Sequence, residues 1–289
     1  MHDPQEISLS TLWQLSQAPS LTLTAAACAL GWASAAGCGI TPDAAAAVAT
    51  LLLAVLFHAA VNIWAASRHL EAAAPSQDDA WRPGASSHLI AQGRISQQQA
   101  RQVALALLGL VLLAGLWLAL KAGGGLLWIG LAGLLLAWGH SASRQPVAAT
   151  TLATLCAALA WWLVVLGADY VQRHHFFLIP AADALSFALL TANVALLRHP
   201  WLPRWTTASY AALALAAHGW LLGGVWLLVQ PDRALWAMLS LPLSLLALAL
   251  LVTGQPGAAQ HRWAFRLTLA AVFCHALVMA VALLSLPLI

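Results

Sequence analysis

Eleven histidines stand out in a sequence in which only 7% of residues are charged. Neutral imidazoles inside a helix bundle can ligate haem iron or copper. His218 and His275 lie near the middle of long apolar stretches, where an ionisable residue is a functional candidate. No two histidines are four residues apart, so no helix would present a ligand pair on one face. The alternative interpretation is that each imidazole hydrogen-bonds to a serine, threonine or carbonyl of a neighbouring helix.

A second group of polar side chains occupies the segment 67–96, which includes the carboxylates Glu71, Asp78 and Asp79. The other connections between apolar stretches are short, and a long polar loop in such a chain is the first place to look for function. Carboxylates near the membrane could hold a hard divalent cation. A solvated loop face without a ligand is the alternative.

The stretches that position these residues indicate an integral membrane protein. Hydrophobic residues make up 62% of the 289 residues, and the mean hydropathy is +0.83. Apolar runs near the length of one bilayer crossing recur along the chain, separated by proline, glycine or charge. They predict one all-α domain over residues 1–289, with a cytosolic N-terminal segment 1–17 that lacks the basic region of a cleavable signal. The predicted transmembrane helices are nine, at roughly 18–40, 43–66, 97–120, 124–141, 147–170, 177–198, 205–229, 232–254 and 263–287.

The distribution of basic residues predicts the orientation, because lysine and arginine in short loops resist translocation. Those beside loops that follow even-numbered helices are Arg68, Arg82, Arg94, Arg101, Arg144, Arg198, Arg204, Arg262 and Arg266, and those on the other side are Lys121, Arg173 and Arg233. This excess predicts a cytosolic N-terminus and an external C-terminus in the cytoplasmic (inner) membrane. The net charge of +3 therefore reflects topology and does not indicate a nucleic-acid partner.

Four segments carry a resemblance to a known family. They are "LFHAAVNIW" at the end of the second predicted helix, "WRPGASSHLIAQGRISQQQA" before the third, "VVLGADYVQ" in the fifth and "LLTANVALLRHP" at the end of the sixth. In order and position they resemble the UbiA superfamily of membrane prenyltransferases, and most closely its 1,4-dihydroxy-2-naphthoate polyprenyltransferase branch. The resemblance implies a bundle of nine transmembrane helices around a central cavity that is open to the membrane.

The same resemblance implies which residues would bind substrate. Enzymes of the family bind an isoprenoid diphosphate through Mg²⁺, and the matching substrate-binding positions here are Asn62, Arg82, Arg94, Asn193 and Arg198. By this resemblance, the arginines would contact the diphosphate. The chain is thus expected to bind a polyprenyl diphosphate or a quinone-like lipid.

The aspartates that hold Mg²⁺ in this family are missing. Their positions fall on Ala66 and His69 in the first motif and on Leu196 and Pro200 in the second. Ionisation of an allylic diphosphate develops negative charge on the leaving group, and without a metal this charge loses its main stabiliser. We therefore expect weak or absent Mg²⁺-dependent transfer to an aromatic acceptor, assign no catalytic residue, and expect Mg²⁺ only at a non-standard site.

Three functional hypotheses remain open. The first is a prenyltransferase homologue linked to prenyl-lipid or menaquinone metabolism. The second is a catalytically silent relative that binds a prenyl lipid or quinone and supports a partner membrane enzyme, with arginines holding the anionic head without metal. The third is a haem or copper protein built on the two central histidines.

Acidic residues outside the matched motif positions are expected to contribute little to a metal site. Glu71, Asp78 or Asp79 could rebuild part of the first metal cluster if the loop shifts its register, but they cannot replace the second cluster. Asp169 and Asp183 are predicted near the outer surface and are interpreted as interfacial.

Overall fold

The computed structural model describes residues 8–68, 86–142, 146–197, 205–253 and 258–285. Every regular element in these ranges is helical. The elements are α1 (Leu9–Leu15), α2 (Ala18–Gly37), α3 (Ala44–Arg68), α4 (Ser87–Ala91), α5 (Gln97–Ala122), α6 (Gly125–Ala142), α7 (Pro146–Arg173), α8 (Leu178–Leu197), α9 (Trp205–Trp226), a 3₁₀ segment (Asp232–Ser240), α10 (Leu241–Thr253) and α11 (Ala258–Leu284).

Eight helical segments of the described residues are long and apolar enough to cross a bilayer. They correspond to eight of the nine predicted spans, and the chain is a multi-pass membrane protein. The remaining predicted span, 124–141, corresponds to α6, whose apolar part Gly125–Gly139 is shorter. The all-α membrane fold is confirmed, whereas the count of nine spans is not.

Two short helices lie in segments that were predicted to be irregular. Helix α1 starts at the N-cap Ser8, whose Oγ accepts a hydrogen bond from the Thr11 backbone N–H at 3.2 Å. Helix α4 lies within the long loop. Helices of this length lack the long hydrophobic period that identifies a transmembrane span, so the sequence pattern did not reveal them.

The predicted helix 232–254 is interrupted near its middle. Residues Asp232–Ser240 form a 3₁₀ helix, and α10 begins only at Leu241. Pro242 lacks an N–H, and in a continuous α-helix its ring would clash with the Met238 carbonyl. The tighter 3₁₀ winding before Pro242 is consistent with this restriction.

The chain forms two compact units. Unit 1 comprises Met1–Ala25 and Leu51–Leu118, and unit 2 comprises Ala26–Thr50 and Ala119–Ile289. Unit 1 contains an apolar core of residues from α1, α3, α4 and α5 and the turn before α5: Leu15, Ile63, Ala66, Leu89, Ile90, Ile95, Ala100 and Ala104.

In unit 2, α8 packs against α7, α9 and α11, and most of its side chains are buried. The unit 2 part of α2 approaches α7 closely at Gly31, where an added methyl group would lie 2.4 Å from the Val165 carbonyl oxygen. This close packing places polar side chains of α2, α7 and α8 within hydrogen-bonding distance of one another.

Candidate functional site

Asn62 on α3, in the first of the four matching segments, has a clear structural role in unit 1. Its Nδ2 donates to the Ser16 carbonyl at 2.8 Å and to Ser20 Oγ at 3.3 Å. One turn earlier, His58 Nδ1 lies 2.9 Å from Thr24 Oγ1. These bonds fasten α3 to the start of α2, and a role of Asn62 in substrate binding stays a prediction.

The turn that carries Arg94 is built by capping interactions at both of its ends. Gly93 has a φ of +71°, a left-handed conformation that suits glycine, and the Arg94 N–H donates to the Leu89 carbonyl at 3.0 Å. Ser96 and Gln99 then form a capping box: the Gln99 N–H donates to Ser96 Oγ at 3.1 Å, and the Ser96 N–H donates to Gln99 Oε1 at 2.9 Å.

This turn leaves the Arg94 side chain exposed. Gln97 Nε2 donates to the Ser67 carbonyl at 2.7 Å, which ties the start of α5 to the end of α3. Arg68, also exposed, ends α3. Arg68 and Arg94 are therefore two of the exposed basic residues of unit 1, and they lie at the end of α3 and just before α5, the two helices that this hydrogen bond joins.

Ala66 occupies the first aspartate position of the first motif. It is 2% exposed and belongs to the apolar core of unit 1. A carboxylate here would be surrounded by apolar side chains. His69, Arg82, Glu71, Asp78 and Asp79 lie outside the described residues, so their predicted roles stay predictions.

The second motif ends α8 in unit 2, and its polar residue is Asn193. The Asn193 side chain is fully buried, and its Nδ2 donates to the Tyr210 carbonyl of α9 at 3.3 Å. Within the described part of the chain, its Oδ1 has no hydrogen-bond partner, and neither has the buried Thr206 Oγ1 one turn before Tyr210. Buried polar atoms without partners are costly, and a bound ligand is one way to satisfy them.

Leu196 occupies the first aspartate position of the second motif, and it is 2% exposed. The adjacent carbonyl of Leu197 accepts a hydrogen bond from His261 Nε2 of α11 at 2.8 Å. The basic residues at the start of α11 indicated only topology, and no motif in the sequence predicted this contact. Arg198 and Pro200 lie outside the described residues.

The described residues do not fit the Mg²⁺ that the resemblance implies. Mg²⁺ requires oxygen ligands, but Ala66 and Leu196 have buried hydrocarbon side chains. No group of three or more His, Cys, Asp or Glu side chains in the described ranges could hold a metal ion.

The two central histidines of unit 2 both contact serine hydroxyl groups. His218 Nε2 lies 3.0 Å from Ser240 Oγ, and its Nδ1 donates to the Ala214 carbonyl at 2.8 Å. His275 Nε2 lies 2.9 Å from Ser186 Oγ. Both nitrogens of His218 are thus occupied, which agrees with the hydrogen-bonding interpretation of this residue, whereas the buried Nδ1 of His275 has no hydrogen-bond partner among the described residues.

Asp169 and Asp183 are both buried in unit 2, at 1% and 0% exposure, so their carboxylates face other protein groups, whereas their position near the outer surface of the membrane stays a prediction. Asp169 Oδ1 accepts from Arg173 Nε at 2.7 Å, an ion pair across one turn of α7. Asp183 Oδ2 accepts from Ser34 Oγ at 3.3 Å, and its Oδ1 accepts from Gln230 Nε2 at 3.1 Å. An acid within an apolar span was the available signal, since such residues rarely face lipid.

The fold defines the class of this protein: an all-α, multi-pass membrane bundle of the UbiA type. No protein-family model matches the chain, and no curated protein matches it significantly. Among solved structures, the chain is similar to a UbiA homologue from Archaeoglobus fulgidus bound to GPP and Mg²⁺. The match has a TM-score of 0.58 at 15% identity and covers 93% of this chain and 99% of the other.

Proposed function

We propose that this chain is a UbiA-superfamily prenyltransferase homologue associated with prenyl-lipid or quinone metabolism, and that its Mg²⁺-dependent transfer is weak or lost. Two independent observations support the superfamily. The sequence landmarks follow the family order, and the fold matches a UbiA homologue over nearly the whole of both chains. The landmarks favour the 1,4-dihydroxy-2-naphthoate polyprenyltransferase branch, and hence menaquinone biosynthesis.

The observation that carries the loss of transfer is the burial of Ala66 and Leu196 in hydrocarbon surroundings. Metal ions stabilise the charge that develops on a diphosphate leaving group by several kcal/mol. Each loss of about 1.4 kcal/mol slows a reaction tenfold. A protein with these two positions apolar should therefore be slower than its relatives by orders of magnitude.

Binding of an anionic lipid head does not require the lost aspartates. Arginine guanidinium groups bind phosphate through charge-assisted and often bidentate hydrogen bonds. Arg94 is exposed on a turn of defined geometry, and the buried Asn193 Oδ1 lacks a partner in the described part of the chain. By resemblance, the candidate head-group ligands are Arg82, Arg94, Asn193 and Arg198, and Arg94 of unit 1 and Asn193 of unit 2 are each tested separately.

The predicted placement in the membrane completes the proposal. The excess of basic residues beside one set of loops favours a cytosolic N-terminus and an external C-terminus in the cytoplasmic membrane. In this orientation the anion-binding arginines face the cytosol, where soluble diphosphates and aromatic acceptors are available. A silent relative that binds a prenyl lipid or quinone for a partner membrane enzyme would use the same side chains.

A transfer assay tests the catalytic part of the proposal. Purified protein is incubated with labelled farnesyl or longer polyprenyl diphosphate and with 1,4-dihydroxy-2-naphthoate or 4-hydroxybenzoate, with Mg²⁺ or with EDTA. We expect little or no product in either condition from protein that is shown to be folded. Rapid, EDTA-sensitive transfer would contradict the proposal and would place a metal site among residues such as Glu71, Asp78 and Asp79.

A binding assay tests the anion site separately. Retention of labelled farnesyl diphosphate in EDTA is measured for the wild type, Arg94→Ala and Arg101→Ala. Loss of hydrogen bonds to a charged group costs about 1.5–3 kcal/mol, so Arg94→Ala should weaken binding roughly tenfold or more. Arg101 is also exposed in unit 1 and serves as the matched control. Equal effects of the two substitutions would show that the assignment of Arg94 is wrong.

A further inference from the structure

The polar cluster around Asp183 lies at the start of α8, away from the motif positions at the end of the same helix. Asp183 is fully buried, and each of its carboxylate oxygens has one neutral partner. Ser34 Oγ of α2 lies 3.3 Å from Oδ2, and Gln230 Nε2 lies 3.1 Å from Oδ1. Ser34 is also buried, and Gln230 is 4% exposed.

The charged and titratable groups near Asp183 come from two helices. On α7, Arg173 pairs with Asp169 through Nε at 2.7 Å and donates from Nη2 to the Ser34 carbonyl at 2.6 Å.

On α11, His275 contacts Ser186, whose hydroxyl donates to the backbone carbonyl of Asp183 and not to its carboxylate. The contacts from α2 and from the segment after α9 come from the neutral Ser34 and Gln230.

This arrangement leaves Asp183 without an ion-pair partner among the described residues, since Arg173 is already bound to Asp169. With all three groups ionised, Asp169, Arg173 and Asp183 would carry a net charge of −1 inside a membrane-spanning bundle. An isolated buried charge is so costly that such groups are neutralised or acquire a counter-ion. The Asp183 carboxylate therefore needs either a proton or a cation.

The packing around the carboxylate favours a proton. Both oxygens already have a hydrogen-bonding neighbour, and a metal ion would have to displace these neighbours to reach its usual ligand number. Gln230 packs directly against Gly224, because its Oε1 occupies the space that a methyl group on Gly224 would need, 2.3 Å from that position. A proton needs no such space, and a neutral carboxyl O–H can donate to Ser34 Oγ.

We propose that Asp183 is a proton-binding site within the transmembrane bundle. Its hydrogen-bonding partners are Ser34 and Gln230, and the neighbouring charged group is the Asp169–Arg173 ion pair. At neutral pH the carboxyl group is protonated and the cluster is electrically neutral. Deprotonation passes the proton to solvent water and leaves a carboxylate beside the Arg173 guanidinium. This site is independent of prenyl-lipid binding at the other end of α8.

Infrared spectroscopy of the full-length protein tests the site directly. The protein is purified in a detergent without ester groups, because lipid and detergent esters absorb where protonated carboxyl groups do. At neutral pH we expect a carboxylic C=O band that shifts in D₂O and falls as the pH is raised. Labelling aspartate carboxyls with ¹³C should shift the same band.

Three substitutions assign the band. Asp183→Asn removes the proton site with little change in shape and should abolish the band completely, whereas Asp169→Asn should retain it. Ser34→Ala keeps the acid but removes a hydrogen-bonding partner, so it should shift the band to higher frequency, and this variant remains informative if Asp183→Asn does not fold. A band that is absent at neutral pH, survives in Asp183→Asn, or responds to sodium rather than to pH would overturn the proposal.

Discussion

The two ends of α8 differ in how their polar groups are satisfied. At the start of the helix, both carboxylate oxygens of Asp183 have partners within unit 2. At the end, the buried Asn193 Oδ1 and the nearby Thr206 Oγ1 have no partner in the described part of the chain. A proton would complete the contacts of the Asp183 carboxyl group, although the nearby Gln230 Oε1 has no hydrogen-bond partner among the described residues. At the other end, the motif residue Asn193 itself has an unpartnered oxygen, which a larger ligand could use.

One end of α8 carries the positions for which the family resemblance predicts a function, and the other end carries a buried acid that is a feature of this chain. Asp183 and Leu196 are thirteen residues apart on one helix, or about 20 Å along its axis. By the family resemblance, Leu196 at the end of this helix would stand at the position of a metal ligand. The buried acid of this helix lies at its start, where the resemblance assigns no function.

Introducing an aspartate at Leu196, a position of the second motif, should have the largest effect on stability. Leu196→Asp would introduce a charge at a side chain that is 2% exposed. An unpaired buried charge should destabilise the protein by about 3–5 kcal/mol. We expect a strong loss of monodisperse protein in size-exclusion chromatography and a much lower Tm.

The control is Leu196→Met, which conserves volume and polarity and should cost less than about 1.5 kcal/mol. A Leu196→Asp protein that is as stable as the wild type and binds Mg²⁺ would show that this end of α8 still accommodates a metal. The difference that we describe between the start and the end of α8 would then be wrong.

Breaking the ion pair beside Asp183 should have the next largest effect. Asp169→Asn leaves the Arg173 guanidinium, whose side chain is 5% exposed, without its partner. We expect a loss of about 2–4 kcal/mol in thermal or denaturant unfolding, below the upper range for a buried pair because Arg173 still donates to the Ser34 carbonyl.

Asp183→Asn is the matched comparison for this prediction. If Asp183 is already neutral, its replacement by a neutral isostere should lower the unfolding free energy by no more than about 1 kcal/mol. A larger loss in Asp183→Asn than in Asp169→Asn would indicate that Asp183, and not Asp169, carries the essential charge.

Two adjacent glycines test the packing that positions Gln230. A methyl group on Gly224 would lie 2.3 Å from Gln230 Oε1, whereas a methyl group on Gly223 would meet nothing within 4 Å. Gly224→Ala should therefore destabilise the protein by about 1–3 kcal/mol. Gly223→Ala should be neutral or stabilising by up to about 1 kcal/mol, because alanine favours the helix. Unfolding curves that do not distinguish the two variants would contradict the close contact at Gln230.

The fold was predictable from the sequence because apolar length alone identifies bilayer-spanning helices. The interruption at Pro242 was less predictable, since hydropathy does not distinguish a 3₁₀ segment from an α-helix, although the proline offered a signal. The short helices α1 and α4 depend on caps and local contacts, which leave little trace in a hydrophobic pattern.

The site was predictable only in part. The spacing of landmarks predicts that Ala66 and Leu196 are substituted motif positions, and this assignment stays a prediction, although both side chains are buried. The position of Asp183 against Ser34 and Gln230 was not predictable, because these residues are far apart in sequence and belong to different elements. The count of basic residues beside the loops predicted a position for Asp183 near the outer surface. Such a count predicts depth in the membrane, but it does not predict which side chains surround a residue.

The smallest effect on stability is expected for Asn193→Ala, and it tests the ligand role of this end of α8. Asn193 makes one long hydrogen bond, at 3.3 Å to the Tyr210 carbonyl, and its Oδ1 has no partner in the described residues. Removing it should change the unfolding free energy by about 1 kcal/mol or less, because the lost bond is offset by removal of an unsatisfied acceptor. Retention of farnesyl diphosphate in EDTA should nevertheless fall roughly fivefold or more.

The control for Asn193→Ala is Thr191→Ala on the same helix. Thr191 Oγ1 donates to the Ala188 carbonyl at 2.8 Å within α8, so its loss should leave ligand retention unchanged. If both variants retain the lipid like the wild type, Asn193 is a packing residue and its unpartnered oxygen does not mark a ligand site. If only Asn193→Ala loses the lipid, the end of α8 still binds the head group although Leu196 has replaced its carboxylate.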